Sequence, residues 1–228
     1  MRGKSVLKRA PLIVGVGLLL QVVPLLAAVG VIIIALVGPP RVLPRLDLAP
    51  SFRLTDSAGR QVTSEDLRGA IVVYSFVGAA CDASCQQVLR VLKELEKETA
   101  VGGAATVRLV TIVTEELSPR ELEALAAEVG SSSGNWLILG GDERATRLAR
   151  EAFGVPVVRM PSGSTRLEPY LVLVDPVGMV RAEYRAPLPS ADVLREDLTV
   201  LEDEIANSRG AMRYFYEGMH LFTCTTRG

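Results

Sequence analysis

Ile71-Val-Val-Tyr-Ser-Phe-Val77, running through Gly78-Ala-Ala into Cys81-Asp-Ala-Ser-Cys85, is the stretch that decides how this chain folds. Residues 71–77 form an apolar run rich in β-branched and aromatic side chains, of the length expected for a buried strand. Val88, Leu89, Leu92 and Leu95 then recur at helical spacing, so a strand, a tight turn and a helix follow one another here. The two thiols sit where strand hands over to helix. Unpaired backbone N–H groups and the helix dipole stabilise a thiolate there, and the thiolate is the reactive and metal-binding form of cysteine.

The four-residue spacing leaves three readings open. Inside a regular helix, Cβ atoms at i and i+4 stand ~5–6 Å apart, whereas a relaxed disulfide needs ~3.5–4.5 Å. A disulfide therefore requires Cys81 to lie in the turn, outside the helix. Two thiolates closing on one soft ion tolerate a wider gap, and soft sulfur donors favour Cu(I) or zinc. The plainest alternative is a pair of small buried apolar residues.

Outward from this segment, strands and helices alternate. Gly102-Gly103 breaks the chain before Thr106 to Val113, a second buried strand, and Ser118-Pro-Arg-Glu121 opens a helix with a capping box and a proline at its first position. Asn135 to Leu139 reads as a third strand with Trp136 in the core, and Asp142 caps a helix through Phe153. Tyr170 to Val174 is a fourth strand, turned by Asp175-Pro-Val-Gly178 into Met179 to Arg185, and Ser190 caps a last helix to about Ala206. Upstream, Phe52 to Thr63 reads as a hairpin turning at Ser57-Ala-Gly59, and Ser64 to Gly69 as a short helical turn closed by glycine. Asp56, Asp66, Asp142 and Asp175 are read as turn and cap residues.

The amino terminus is of a different kind. Arg2, Lys4, Lys8 and Arg9 make residues 1–10 a basic flank, and Leu12 to Val37 carries no charge. At ~1.5 Å per residue this run reaches about 39 Å, more than the ~30 Å of a hydrocarbon core. Residues 11–37 are therefore expected to form one retained transmembrane helix, with the basic flank cytoplasmic and the rest of the chain on the extracytoplasmic side of the plasma membrane. Residues 38–50 hold four prolines and are expected to be an extended linker. Residues 51–206 make the folded domain, and 207–228 an apolar tail. Without the basic flank the chain has an acidic excess, which argues against a nucleic-acid partner. Ser131-Ser-Ser-Gly134 does not read as a hydrolase loop, since the chain has a single histidine.

The order of elements gives an α/β domain of thioredoxin-like type, a central mixed sheet flanked by helices. Phe52-Arg-Leu-Thr-Asp56 with Gly59, Asp66-Leu-Arg-Gly69, the strand ending at Cys81-x-x-x-Cys85, Trp136, and Tyr170 to Gly178 together resemble the SCO/SenC family of membrane-anchored, thioredoxin-like copper chaperones. The resemblance covers roughly Pro50 to Ala206. It implies one copper ion held by the two cysteines and a histidine, a role in building the binuclear copper centre of cytochrome oxidase, and in some members thiol–disulfide reduction. Carried over, Cys81 and Cys85 match the thiol ligands. The family histidine stands eight residues before the Asp of the Asp-Pro-x-Gly turn, and here that place is Leu167. Asp82 and Gln86 replace the prolines that commonly follow the family's cysteines.

Two further residues enter as candidates. His220, the only imidazole, lies in the tail near Cys224, and a folded-back tail would give the metal set Cys81, Cys85 and His220. Pro169 stands just before the fourth strand, where thioredoxin-like oxidoreductases carry a cis-proline facing the cysteines, and its alternative is an ordinary strand-starting proline. Three functions follow: a copper-handling or thiol-redox assembly factor for a respiratory membrane complex, a non-catalytic accessory subunit of such a complex, and a thiol–disulfide oxidoreductase working through Cys81 and Cys85.

Overall fold

The structure is a computed structural model and describes residues 21–25, 28–29, 41–78, 81–99, 106–129, 134–160 and 165–222. The chain divides into two compact units, residues 1–41 and 42–228. In the first, residues 21–25 and 28–29 are helical. No helix among the described residues is long and apolar enough to cross a membrane, and most of the expected anchor over 11–37 lies outside the described residues.

The second unit is built on β3 (Ile71–Val77), every residue of which is buried. It pairs in parallel with β4 (Val107–Val113), and β4 in parallel with β5 (Trp136–Gly140). On its other side β3 pairs antiparallel with β8 (Tyr170–Val174), and β8 with β9 (Val180–Arg185). The hairpin β1 (Arg53–Asp56) and β2 (Gln61–Thr63) closes the far edge through β5, giving the order β2-β1-β5-β4-β3-β8-β9. A strand buried on both faces reads as a continuous apolar run, and this central position is why residues 71–77 show no alternation.

Alternate residues of β3 feed two cores. Ile71, Val73 and Val77 face Val88, Leu92 and Leu95 of α1 (Ala83–Thr99), Leu122 and Leu125 of α2 (Pro119–Val129), and Leu194, Leu198 and Leu201 of α4 (Ala191–Asn207). Val72, Tyr74 and Phe76 face Leu139, Tyr170 and the end of α3 (Glu143–Ala152), where the Phe153 ring packs tilted against Tyr74 and Phe76 with ring centroids 5.1 Å away. The buried hydroxyls of Ser75 and Thr111 bond across the sheet at 2.8 Å, and Trp136 Nε1 donates to Thr111 Oγ1 at 2.9 Å. Trp136 is therefore core, with its polar atom satisfied.

The turn and cap residues at Ser118, Asp142 and Asp56 bond as the sequence reading expects. Ser118 N and Oγ donate to the Glu121 carboxylate at 2.8 and 2.6 Å, which is the capping box, and Asp142 accepts from Ala145 N at 2.7 Å. Asp56 accepts from the N–H groups of Ala58 and Arg60 and from Arg60 Nε. Burial pushes its carboxyl up, but these bonds outweigh burial and hold it below the ordinary carboxylate range. Ser190 stands at the first cap of α4 with no side-chain bond there; its carbonyl accepts from Val193 and Leu194 instead.

Three features go beyond the sequence reading. A separate hairpin, β6 (Val157–Arg159) with β7 (Thr165–Leu167), stands between α3 and β8. The tail forms α5 (Ala211–Phe222). Within the proline-rich segment, residues 46–49 are docked beside β9 rather than free: Leu46 N donates to Val180 O, Val180 N to Asp47 O and Ala49 N to Gly178 O.

Candidate functional site

Val77 ends β3, and its carbonyl accepts from Thr114 N at 2.9 Å, which fixes the strand end against β4. Beyond Gly78, Cys81 has a positive φ of 32°, an unusual conformation for a residue with a side chain, and it lies outside α1. That is the condition a disulfide at this spacing requires. Cys81 and Cys85 are disulfide-bonded, with their Cα atoms 4.9 Å apart. Asp82 caps the helix: its carboxylate accepts from Ser84 N at 3.0 Å and Cys85 N at 3.1 Å, and its carbonyl from Gln86 N at 2.9 Å. The cap sets Cys85 at the third helical position, directed toward the core.

The two sulfurs are not equivalent. Cys85 is 4% exposed and belongs to the core beneath α1, whereas Cys81 is half-buried at its edge. An incoming thiolate or thiol therefore reaches Cys81 first. A small pocket beside the bond has Asp82, Ser84 and Cys85 on one side and Leu167, Glu168 and Pro169 on the other. The β6–β7 hairpin supplies the second wall, with Val157 opposite Leu167 and Glu168 N donating to Pro156 O at 3.0 Å. Leu167, at the place assigned to the family histidine, is thus brought beside the cysteines. Its own side chain is apolar and offers no metal donor.

The cis peptide bond among the described residues is Ala186–Pro187, and the Glu168–Pro169 bond is trans. The expected cis-Pro169 is corrected on this point. Pro169 opens β8 as a strand-starting proline, where its missing N–H interrupts no ladder.

His220 is corrected as well. Its Nε2 lies 2.9 Å from Glu204 Oε1 on α4, and its Nδ1 is buried without a hydrogen-bond partner. Glu204 also takes Arg181 Nη2 at 2.6 Å, while Arg181 Nη1 reaches Asp175 at 3.1 Å. Asp175 follows Val174, which pairs with Val72 at the beginning of β3. The cysteines follow the end of β3, one strand length and about 20 Å away at ~3.3 Å per residue. The cause is the fold of the tail: α5 packs along α4 and delivers His220 to the wrong end of the sheet for a metal set with Cys81 and Cys85. Cys224 lies outside the described residues. No group of three or more His, Cys, Asp or Glu that could hold a metal occurs among the described residues.

Sequence reasoning missed the buried Arg181, which is 2% exposed. Its Nε and Nη2 donate to the carbonyls of Pro44 (3.1 Å) and Leu43 (2.7 Å), so it binds the docked segment to β9 and α4. A single arginine in a strand of ordinary polarity gives no signal of this role.

The comparisons with known proteins agree with this fold. The SCO1/SenC family model matches residues 41–200, most of the chain. The chain belongs to the SCO1/SenC family. No curated protein matches it. Among solved structures, the copper-bound ScoI of Arabidopsis thaliana is similar at a TM-score of 0.58 and 16% identity, over 68% of this chain and 97% of that one. BsSco, described as a Sco-family cytochrome c oxidase assembly protein with a disulfide switch, gives 0.57 and 22%, over 70% and 96%. The thioredoxin domain of a thiol–disulfide oxidoreductase from Bacteroides vulgatus gives 0.51 and 15%, over 68% and 98%. These likenesses carry the mixed α/β, thioredoxin-like fold of this SCO1/SenC protein.

Proposed function

We propose that this SCO1/SenC protein is a membrane-anchored, extracytoplasmic assembly or maintenance factor for a respiratory oxidase, and that it acts by thiol–disulfide exchange through Cys81 and Cys85. The observation that carries the reading is the disulfide at the end of β3, with one accessible and one buried sulfur, facing a wall in which Leu167 replaces a metal donor. The family and the relative described as a disulfide-switching cytochrome c oxidase assembly protein support a client within such an oxidase. The uncharged run 12–37 behind a basic flank supports a single-pass anchor with the domain on the periplasmic or intermembrane-space-like side.

In the reducing direction, the Cys81 thiolate attacks one sulfur of a client disulfide and expels the other client sulfur as a thiolate. The Cys85 thiolate then attacks Cys81 Sγ and releases the second client thiolate. Two electrons pass to the client and the Cys81–Cys85 bond forms. Copper is a cargo in the family, and the three-ligand set does not fit here. Among the described residues only the two thiols, when reduced, offer soft donors at this place, and Leu167 offers none.

The test uses the full chain with Cys224→Ser and either Cys85→Ala or Cys81→Ala, mixed with a disulfide-bonded peptide. The Cys85→Ala variant is expected to trap a mixed disulfide on Cys81, and the Cys81→Ala variant to trap roughly tenfold less because its remaining thiol is buried. Equal trapping by the two, or none by either, contradicts the proposal.

A further inference from the structure

Tyr74, in the middle of β3, is 2% exposed, yet its hydroxyl makes no hydrogen bond among the described residues. A phenol carried that deep into a core ordinarily has a partner. Nor is the hydroxyl sealed in: among the described residues, His220 Nδ1 is the side-chain polar atom that is both fully buried and unpartnered. The Tyr74 hydroxyl therefore borders open space. That space is a cleft of about 70 Å³ on the sheet face away from α1, lined by Tyr74 with Ser64, Glu65, Arg68 and Asp175. It lies between the short helical turn Glu65–Leu67, the start of β3 and the Asp175–Gly178 turn.

The polar groups around the cleft divide into spent and unspent. Both oxygens of Asp175 are taken, Oδ1 by Val177 N and Met179 N and Oδ2 by Arg181. Glu65 accepts from Arg68 Nε at 2.7 Å. Arg68 Nη1 donates to Val177 O, which leaves Nη2 without a partner among the described residues. Ser64 stands at the cap of the helical turn, but its hydroxyl makes no cap bond. What stays unspent is thus a guanidinium nitrogen and two hydroxyls, all able to donate, while the carboxylates are already occupied. Gly178, at a φ of +85°, makes room for the guanidinium, since a Cβ there would stand 2.8 Å from Arg68 Nη1. Burial pushes the Tyr74 phenol up, and Arg68 is the charge that draws it back. The field that reaches the hydroxyl is therefore that of the guanidinium.

We propose that this cleft binds one small oxyanion, held by Arg68 Nη2 and the hydroxyls of Tyr74 and Ser64. A guanidinium joined by O–H donors is the donor set that carboxylate and phosphate oxygens accept. A water needs only ~10–15 Å³ of such space, so the cleft has room for a small anion. The site goes beyond the thiol chemistry proposed above and stands whether or not Cys81 and Cys85 exchange.

The full chain in dodecyl maltoside micelles is titrated calorimetrically with inorganic phosphate and, separately, with acetate, in a zwitterionic buffer held at constant ionic strength with chloride. Saturable binding to a single site is expected, and the arm that saturates tells a tetrahedral from a planar oxyanion. Tyr74→Phe keeps the ring against Phe52 and Phe153 and removes only the hydroxyl. It is expected to weaken binding about tenfold, and Arg68→Gln at least about tenfold. Arg195→Gln removes an exposed cation on α4, away from the cleft, and is expected to leave binding unchanged. Circular dichroism checks that each variant folds. Saturation by neither anion overturns the proposal and leaves the cleft to water. Saturation that Tyr74→Phe leaves unaltered, or that Arg195→Gln weakens as much as Arg68→Gln does, overturns it as well.

Discussion

The Arg181→Met variant is expected to lose about 3–5 kcal/mol of unfolding free energy. Arg181 is 2% exposed and its guanidinium is held by the buried carboxylates of Asp175 in the β8–β9 turn and Glu204 near the end of α4, and by the part-buried carbonyls of Leu43 and Pro44. Removing it leaves two carboxylates, 6% and 5% exposed, without their common cation. Two like charges stranded away from water cost far more than the pair itself contributes, so the loss should shrink to about 1–2 kcal/mol when Arg181→Met is combined with Asp175→Asn and Glu204→Gln. Thermal melts of the full chain should show the single variant roughly 10 °C lower, given ~2–4 °C per kcal/mol for a domain of this size. Amide exchange should rise first at Leu46 and Ala49, whose N–H bonds to β9 depend on the pinned segment. A single variant that melts within about 2 °C of the parent contradicts a structural role for this cluster.

The second large effect is a gain. Leu167→His, in the reduced chain, is expected to raise Cu(I) affinity by at least ~100-fold, because a nitrogen donor enters the pocket lined by Cys85, whose thiolate then works with that of its bonded partner Cys81. The side chain it replaces is half-buried at the end of β7, where an imidazole displaces apolar contact with Phe76 and Tyr170 but breaks no hydrogen bond of the hairpin. Competition with a chromophoric Cu(I) chelator reads the change. His220→Ala should leave Cu(I) binding unaltered, since that imidazole is bonded to Glu204 at the other end of the sheet. An unchanged affinity in Leu167→His, or a loss in His220→Ala, contradicts the geometry assigned to the pocket.

How much of this was legible follows from where the signal lies. The β3–Cys–α1 unit was readable because burial on both sheet faces demands an unbroken apolar strand, and burial of one helix face demands Val88, Leu92 and Leu95 at helical spacing. Its caps were readable because Ser118, Glu121 and Asp142 act on N–H groups three residues away. The β6–β7 hairpin was not readable: three-residue strands carry too little alternation, and Val157-Val158 after Pro156 was the only local hint. Nor was the position of His220. Sequence proximity to Cys224 suggested a thiol neighbourhood, but the direction in which α5 returns along α4 is set by tertiary contacts such as Arg45 with Glu217 at 2.9 Å, across more than half the chain. The proline count pointed to an extended linker over 38–50, and residues 41–50 lie outside any helix or named strand. It could not reveal that Arg181 and the edge of β9 would hold residues 43–49 down.

The Cys81–Cys85 bond, proposed above as a working bond rather than a staple, is tested most directly by equilibrium reduction. The full chain with Cys224→Ser is equilibrated with glutathione buffers of graded reducing strength, quenched with an alkylating reagent and weighed by mass spectrometry. The predicted result is a single two-electron transition, both thiols appearing together, at a potential above about −300 mV. A pair that stays oxidised across every glutathione ratio would behave as a structural disulfide and would contradict the central claim.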